Sequence, residues 1–400
     1  MRKHLLYIAM SGLLAGGLSA CQQDAPGMEP LDEEARRIYL SAGIGDAVSS
    51  RTPYHPGGSE PTVSHPLNVS VWASTESGVY PNSELNGSQG TVAIHTDAHF
   101  QSGDPQLLGE AIYPKAQGGD AKKVYFVGLH PLSNPTNSWT ATNANKNAQF
   151  TFTGKEDIMF APQISGTYGT AYEQSPEFHF YHLLTWLHIE MVADKDETDV
   201  RNREKVRDAW GKIKSLTITS KNQVTIHNIG TTGYKEVDGT PTIDRNEFTN
   251  EGKVSFTNET SLNLYCHNTD DQFPITGKDN DNTVPNEFKG VIPTSVTPVA
   301  YVMCAPVLWE VEDAYGNPVP EYTLHIKTEH REMDIPLDLK GDGDDGTLIA
   351  ENTMGRMFTI VLNFKMGDVI SVSTEISVGG DADWFTHGTG SGDLKEDDLQ

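Results

Sequence analysis

Short runs of alternating apolar and polar residues recur along almost the whole chain, with Gly, Pro, Asn and Asp filling the gaps. Period-two alternation is the mark of half-buried strands, because successive side chains leave opposite faces of a sheet. Ile38 to Ile44 alternates apolar and small residues, and Leu67, Val69, Val71 and Ala73 alternate with Asn68, Ser70 and Trp72. Val124 to Val127, Phe150 and Phe152, and the long run Phe178 to Val192 follow. Later runs centre on Leu216 and Ile218, Val224 and Ile226, Val254 and Phe256, and Leu262 and Leu264. The last ones are Val299 to Met303, Tyr322 to Ile326, Phe358 to Phe364 and Ile370 to Val378. One stretch breaks the pattern: Asp196 to Trp210 is charged, with sparse apolar positions at Val200, Val206, Ala209 and Trp210. It predicts a surface helix opened by Thr198 or Asp199 and marks a seam between two domains. Many short strands with almost no helix imply an all-β protein built of sandwiches or barrels.

The amino end changes the picture. Arg2 and Lys3 precede an apolar run from Leu5 to Leu18, and small residues lead to Cys21. This reads as a secretory signal, too short to span a bilayer. Leu18-Ser19-Ala20-Cys21 resembles the lipobox of a bacterial lipoprotein, with the Cys21 thiol as the lipid carrier; the other reading is an ordinary signal peptide with a chance cysteine. Acyl chains contribute about 0.8 kcal/mol per buried methylene, so this lipid would be the membrane attachment. Residues 22–34 are polar and acidic with Pro26 and Pro30, which makes a spacer. After the run ending at Ile44, a turn-rich loop carries Arg51, a site where a trypsin-like protease would cut. From Thr386 the chain turns Gly-rich and acidic with nothing to bury, and is expected to be disordered.

Four hundred residues suggest two domains, and 36% apolar content suffices for cores made of half-buried sheets. A formal charge of -26 argues against a nucleic-acid partner, since no basic stripe exists to displace counterions from phosphates. With Cys21 acylated, Cys266 and Cys304 remain; they could pair in an oxidising compartment or stay as two buried thiols.

Several features invite a chemical reading. Phe178 to Glu190 holds His179, His182 and His188, but on one strand His182 and His188 would lie roughly 20 Å apart, too far to share a metal. The acidic runs Asp338 to Gly346 and Asp279 to Asn282 lack the alternating ligand frame and closing glutamate of a calcium loop, which leaves solvated turns as the default. No nucleophile elbow, phosphate loop or Cys and His pairing stands at usable spacing, and nothing singles out a carboxylate pair. No enzyme activity, metal or cofactor is expected.

These residues together carry a resemblance. Cys21, the run Ile38 to Ile44 followed by Ser50-Arg51-Thr52, Leu67 to Trp72, Asp157 to Ala161, Phe178 to Ile189, and the ending Phe358-Thr359-Ile360 with Ile370 to Trp384 occur in that order. In this the chain resembles the fimbrillin family of Bacteroidales lipoproteins, the subunits of type V pili, across essentially the whole mature length. The resemblance implies two transthyretin-like β-sandwich domains in tandem, export as a lipoprotein, and cutting after the first strand by an arginine-specific protease. Arg51 is the matching position; cutting at Arg36 or Arg37 would leave the strand in place. Removal of the segment through Arg51 would open a groove that a strand from another pilus subunit fills, the donor expected near the carboxyl end at Ile370 to Val378. The polar tail after Trp384 departs from a chain end that is itself an inserting strand, which keeps tip and accessory roles open.

The expected organisation is a lipoprotein signal at 1–21, an acidic spacer and removable strand at 22–51, and a first sandwich at 52–195. A linker of helical pattern follows at 196–212, then a second sandwich at 213–385 and an acidic tail at 386–400. The implied location is the cell surface, as an outer-membrane lipoprotein, a fimbrial component, or both. The alternative is a lipid-anchored glycan-binding or adhesion protein that does not polymerise, with Trp72, Trp139 or Trp309 as stacking platforms.

Overall fold

The structure is a computed structural model that describes residues 37–44, 67–75, 77, 96–100, 106–113, 123–133, 136–144, 146–167, 176–230, 235–237, 240–242, 252–267, 269, 271–277, 280–307, 322–337, 339, 353–367 and 369–376. The strands in its first half are β1 (Arg37–Ile44), β2 (Leu67–Ser74), β3 (Thr96–Phe100), β4 (Gln106–Ile112), β5 (Lys123–His130), β6 (Thr140–Thr142), β7 (Asn147–Thr151), β8 (Met159–Thr167), β9 (Glu177–His182) and β10 (Thr185–Ala193). An α-helix, α1 (Val200–Trp210), separates these from β11 (Ile213–Ile226), β12 (Lys235–Val237), β13 (Thr240–Thr242), β14 (Val254–Asn263), β15 (Tyr265–Cys266), β16 (Thr297–Cys304), β17 (Tyr322–Thr328), β18 (Glu332–Leu337), β19 (Met357–Lys365) and β20 (Val369–Ile376). The fold is all-β, as the alternation predicts.

A seven-stranded sheet runs β3-β2-β5-β8-β9-β1-β4, and its end strands β3 and β4 touch, so it curls back on itself. A five-stranded sheet, β15-β16-β10-β19-β20, shares one core with a six-stranded group in which β11 pairs with β17, β7 and β14. The period of two explains how the seven-stranded sheet serves two cores. On β2, β5 and β8, Val69, Val71, Val124, Phe126, Met159 and Ala161 enclose an inner core, while the intervening Trp72, Val127, Leu129 and Phe160 face outward into the core of the other two sheets. Strands buried on both faces need apolar residues at consecutive positions, which is why Phe126-Val127 and Met159-Phe160-Ala161 read as unbroken apolar runs.

Hydrogen bonding crosses the division expected at 196–212. β10 lies between β16 and β19, and β7 pairs with β11, so these strands join the sheets of the later chain. The run Phe178 to Val192 is two strands, β9 and β10, joined through Leu183-Leu184 and lying in different sheets. In α1, Asp199 is the cap: its carboxylate accepts the Arg201 backbone N–H at 2.9 Å. Val206 and Trp210 are buried, and the Trp210 indole N–H donates to the Lys365 carbonyl at 2.9 Å, which ties the helix to β19.

Candidate strand-exchange site

β1 alternates because one of its faces is buried: Ile38, Leu40 and Ala42 are fully enclosed in the inner core with Leu67, Val69, Val71, Tyr113, Phe126, Phe178 and Phe180. Complete burial of a side chain the size of Ile or Leu is worth about 1.5–3 kcal/mol, so Ile38 and Leu40 carry most of the strand's apolar contribution. Both flanks are hydrogen-bonded. Ser41–Ile44 runs parallel to Glu177–Phe180 of β9, while Arg37, Tyr39 and Leu40 pair antiparallel with Ile112, Leu107 and Gln106 of β4. A register irregularity falls between Arg37 and Tyr39, and the Ser41 N–H donates to the Pro176 carbonyl at 3.1 Å.

Close approach shapes the slot around β1. A Cβ at Gly128 would stand 2.5 Å from Phe180 Cζ, so the absent side chain lets that ring lie over β5. Gly166 leaves room in the same way for the Tyr113 phenol. Burial pushes the Tyr113 hydroxyl up to about 12, and its ring meets Phe126 edge-on at 6.5 Å. The slot is therefore apolar on its core side, with two lines of backbone donors and acceptors along its rims.

Cys21, Arg51 and Arg36 lie outside the described residues. Arg37 opens β1, upstream of its buried positions, so a cut there would leave the plug in the slot. The expected donor segment, Ile370 to Val378, coincides over residues 370–376 with β20, an outer strand of the five-stranded sheet paired with β19 across Val369–Ile376. Of the slot's two rims, β4 shows no clean alternation in Gln106–Ile112, and β9 continues into β10 as one apolar run in the sequence.

Other candidates resolve differently. His182 Nδ1 lies 2.9 Å from Asp157 Oδ1, and His188 Nε2 lies 3.3 Å from His267 Nδ1, each pair enclosed in the protein. Among the described residues no group of three or more His, Cys, Asp or Glu is placed to hold a metal. Cys266 and Cys304 are buried free thiols; burial pushes Cys266 up to about 12 and Cys304 upward as well, which keeps both protonated and unreactive. Trp72 and Trp139 are 0% and 2% exposed, which removes them as stacking platforms: Trp72 lies on a strand covered on both faces, and Trp139 packs against Phe150 with its indole N–H donated to the Pro131 carbonyl. Trp309 and most of the run 338–346 lie outside the described residues. Asp281 closes a local turn by accepting from the Thr283 N–H and hydroxyl. A cavity of about 320 Å³ beside the end of α1 is lined by Arg207, Lys212, Glu329 and His330, where Glu329 is held by Lys214 and the Lys212 N–H. No helix among the described residues is long and apolar enough to cross a membrane.

No protein-family model matches the chain, and no curated protein matches it. Among solved structures it is similar to a candidate cell adhesion protein from Bacteroides uniformis, at 13% identity over 85% of this chain and 96% of that one, with a TM-score of 0.41. It is also similar to a fimbrial assembly protein from Parabacteroides distasonis, at 12% identity over 84% and 94% of the two chains with a TM-score of 0.36. A third similarity is to the fimbrial anchor protein from Porphyromonas gingivalis, at 9% identity over 88% and 99% with a TM-score of 0.31. Likeness at this level assigns no residue a role.

Proposed function

We propose that the chain is a structural or adhesive subunit of a cell-surface pilus, exported as a lipoprotein through Cys21 and assembled by removal of its first strand and insertion of a strand from another subunit. The observation that carries this reading is the setting of β1. It is hydrogen-bonded on both flanks, it plugs an apolar core with Ile38, Leu40 and Ala42, and a 22-residue segment containing Arg51 (45–66) separates it in sequence from β2. A cut after Arg51 frees β1 from the body, and the slot it leaves has two unpaired rims and an apolar floor, which is what a β-strand from another chain requires.

β20 supports the donor half of the proposal. Both strands span eight residues, and Ile370, Val372, Thr374 and Ile376 repeat the spacing of Ile38, Leu40, Ala42 and Ile44. On leaving its sheet β20 gives up pairing with β19 along Val369–Ile376, and the slot offers it pairing with β4 along one half and with β9 along the other, so backbone hydrogen bonding is nearly conserved in the exchange.

The test is the amino terminus of surface-exposed material from the native host, read by mass spectrometry beside an Arg51→Ala variant. A terminus at Thr52, lost in the variant together with high-mass SDS-resistant ladders, is the expected result. A terminus that stays at acylated Cys21 in both would overturn strand exchange and leave a lipid-anchored surface protein.

A further inference from the structure

Among the described residues the chain passes three times between the seven-stranded sheet and the other sheets. It leaves β5 for β6 through residues 131–139, returns from β7 to β8 through 152–158, and leaves β9 for β10 through Leu183-Leu184. Each crossing brings one ionisable side chain to the same place. His130 ends β5, Asp157 lies just before β8, and His182 ends β9. The register sets His130 opposite Met159 and Met159 opposite His182, so the two histidines flank one residue of β8. Asp157 and His182 pair with side chains only 3% exposed, and the second carboxylate oxygen, Asp157 Oδ2, is buried with no hydrogen-bond partner. His130 Nδ1–H donates to the Asn68 carbonyl of β2 at 2.8 Å.

We infer that this His130–Asp157–His182 cluster makes the joint between the seven-stranded sheet and the rest of the molecule acid-sensitive, with a proton taken up at His130 loosening the three crossings together. With its Nδ1–H already given to Asn68, a neutral His130 gains a proton at Nε2, on a ring that is buried. Among the described residues, Asp157, Asn68 and His182 act on it. From β2 the Asn68 carbonyl favours the charged ring, from the crossing before β8 the Asp157 carboxylate also favours it, and from β9 His182 opposes it. Burial outweighs the favourable pair and holds His130 below the ordinary imidazole value of 6.5. The sign follows: the open joint takes up a proton that the closed joint refuses, so closure is fully favoured above the ordinary value and is lost as the pH falls below it. The second and third crossings are bonded to each other, the Leu183 N–H donating to the Ile158 carbonyl at 2.8 Å, and the first is tied to the end of β7 by the Asn137 side-chain amide, which donates to the Thr151 carbonyl at 2.7 Å.

That amide is the reporter. Hydrogen exchange at Leu183, corrected for intrinsic chemistry, is expected to speed up by as much as about tenfold per pH unit between pH 6.5 and 5, the slope of a single linked proton. His130→Gln should flatten the dependence, whereas His325→Gln, which alters a histidine paired with Asp334 on β17 and β18, should keep it. A Leu183 rate flat across this range in the unaltered protein, or the full slope surviving in His130→Gln, would overturn the inference. If His130→Gln does not fold, the His130 ring resonance of the unaltered protein decides. Titration near the ordinary value with Leu183 still protected sinks the idea; a ring that stays neutral until Leu183 opens supports it.

Discussion

β1 and β10 are the same kind of strand in two parts of the molecule. Each runs parallel to one neighbour and antiparallel to the other, and each places alternate side chains in a core. They differ in extent and in attachment. β10 pairs with β19 across Trp186–Ala193 and with β16 across Thr185–Met191, is joined to β9 by two residues, and leads directly into α1. β1 pairs with β9 over Ser41–Ile44 alone and with β4 at Arg37, Tyr39 and Leu40, and nothing shorter than residues 45–66 connects it to β2. A strand becomes replaceable when its ladders are short and its covalent link is long, because cutting that link then removes a plug rather than a fold.

The comparison can be broken most severely at β10. Leu187 is fully buried in the core shared by the later sheets. Leu187→Asp would place an unpaired charge there, and the protein is expected to lose cooperative folding altogether, seen as the absence of a near-ultraviolet dichroism signal. A folded Leu187→Asp protein would mean that β10 is no more essential than β1.

The matching change in the plug is milder. Leu40→Ala should cost about 2–5 kcal/mol in urea unfolding of the seven-stranded part, while hydrogen-exchange protection in β10 and β19 stays at its original level. Equal loss of protection in both parts would show that the two cores do not act separately.

The smallest expected effect sharpens the account of the slot itself. Gly128→Ala sets a methyl 2.5 Å from Phe180 Cζ, and forcing that ring aside should cost about 1–3 kcal/mol. It should also weaken capture of a synthetic peptide spanning residues 37–44 by protein from which β1 has been removed. A neutral Gly128→Ala would mean that the Phe180 ring can relocate without disturbing the slot.

Much of the fold is legible in the chain because the strands alternate. Ile38 to Ile44, Leu67 to Ala73 and Phe358 to Phe364 stand where β1, β2 and β19 are found, and Asp196 to Trp210 contains α1, since a 3.6-residue pattern and a cap are local properties. Half of the slot was readable too: the apolar face of Ile38, Leu40 and Ala42 announces a strand that fills a core. Its rims were not, because Gln106–Ile112 has mixed polarity, and because Leu183-Leu184 keeps the apolar run unbroken where the backbone changes sheets.

What the sequence determined by itself was the class of fold, the positions of the cleanly alternating strands and the helix α1, all set by patterns between near neighbours. Only the tertiary structure decided which strands pair. That β1 is parallel to β9, that β6, β7 and β10 join the later sheets, and that Asp157 meets His182 are facts about residues tens of positions apart. Alternation states that a strand has a buried face. It carries no information about whose hydrogen bonds complete its edges, because backbone donors and acceptors are the same at every residue and the choice of partner is made by the packing of whole sheets.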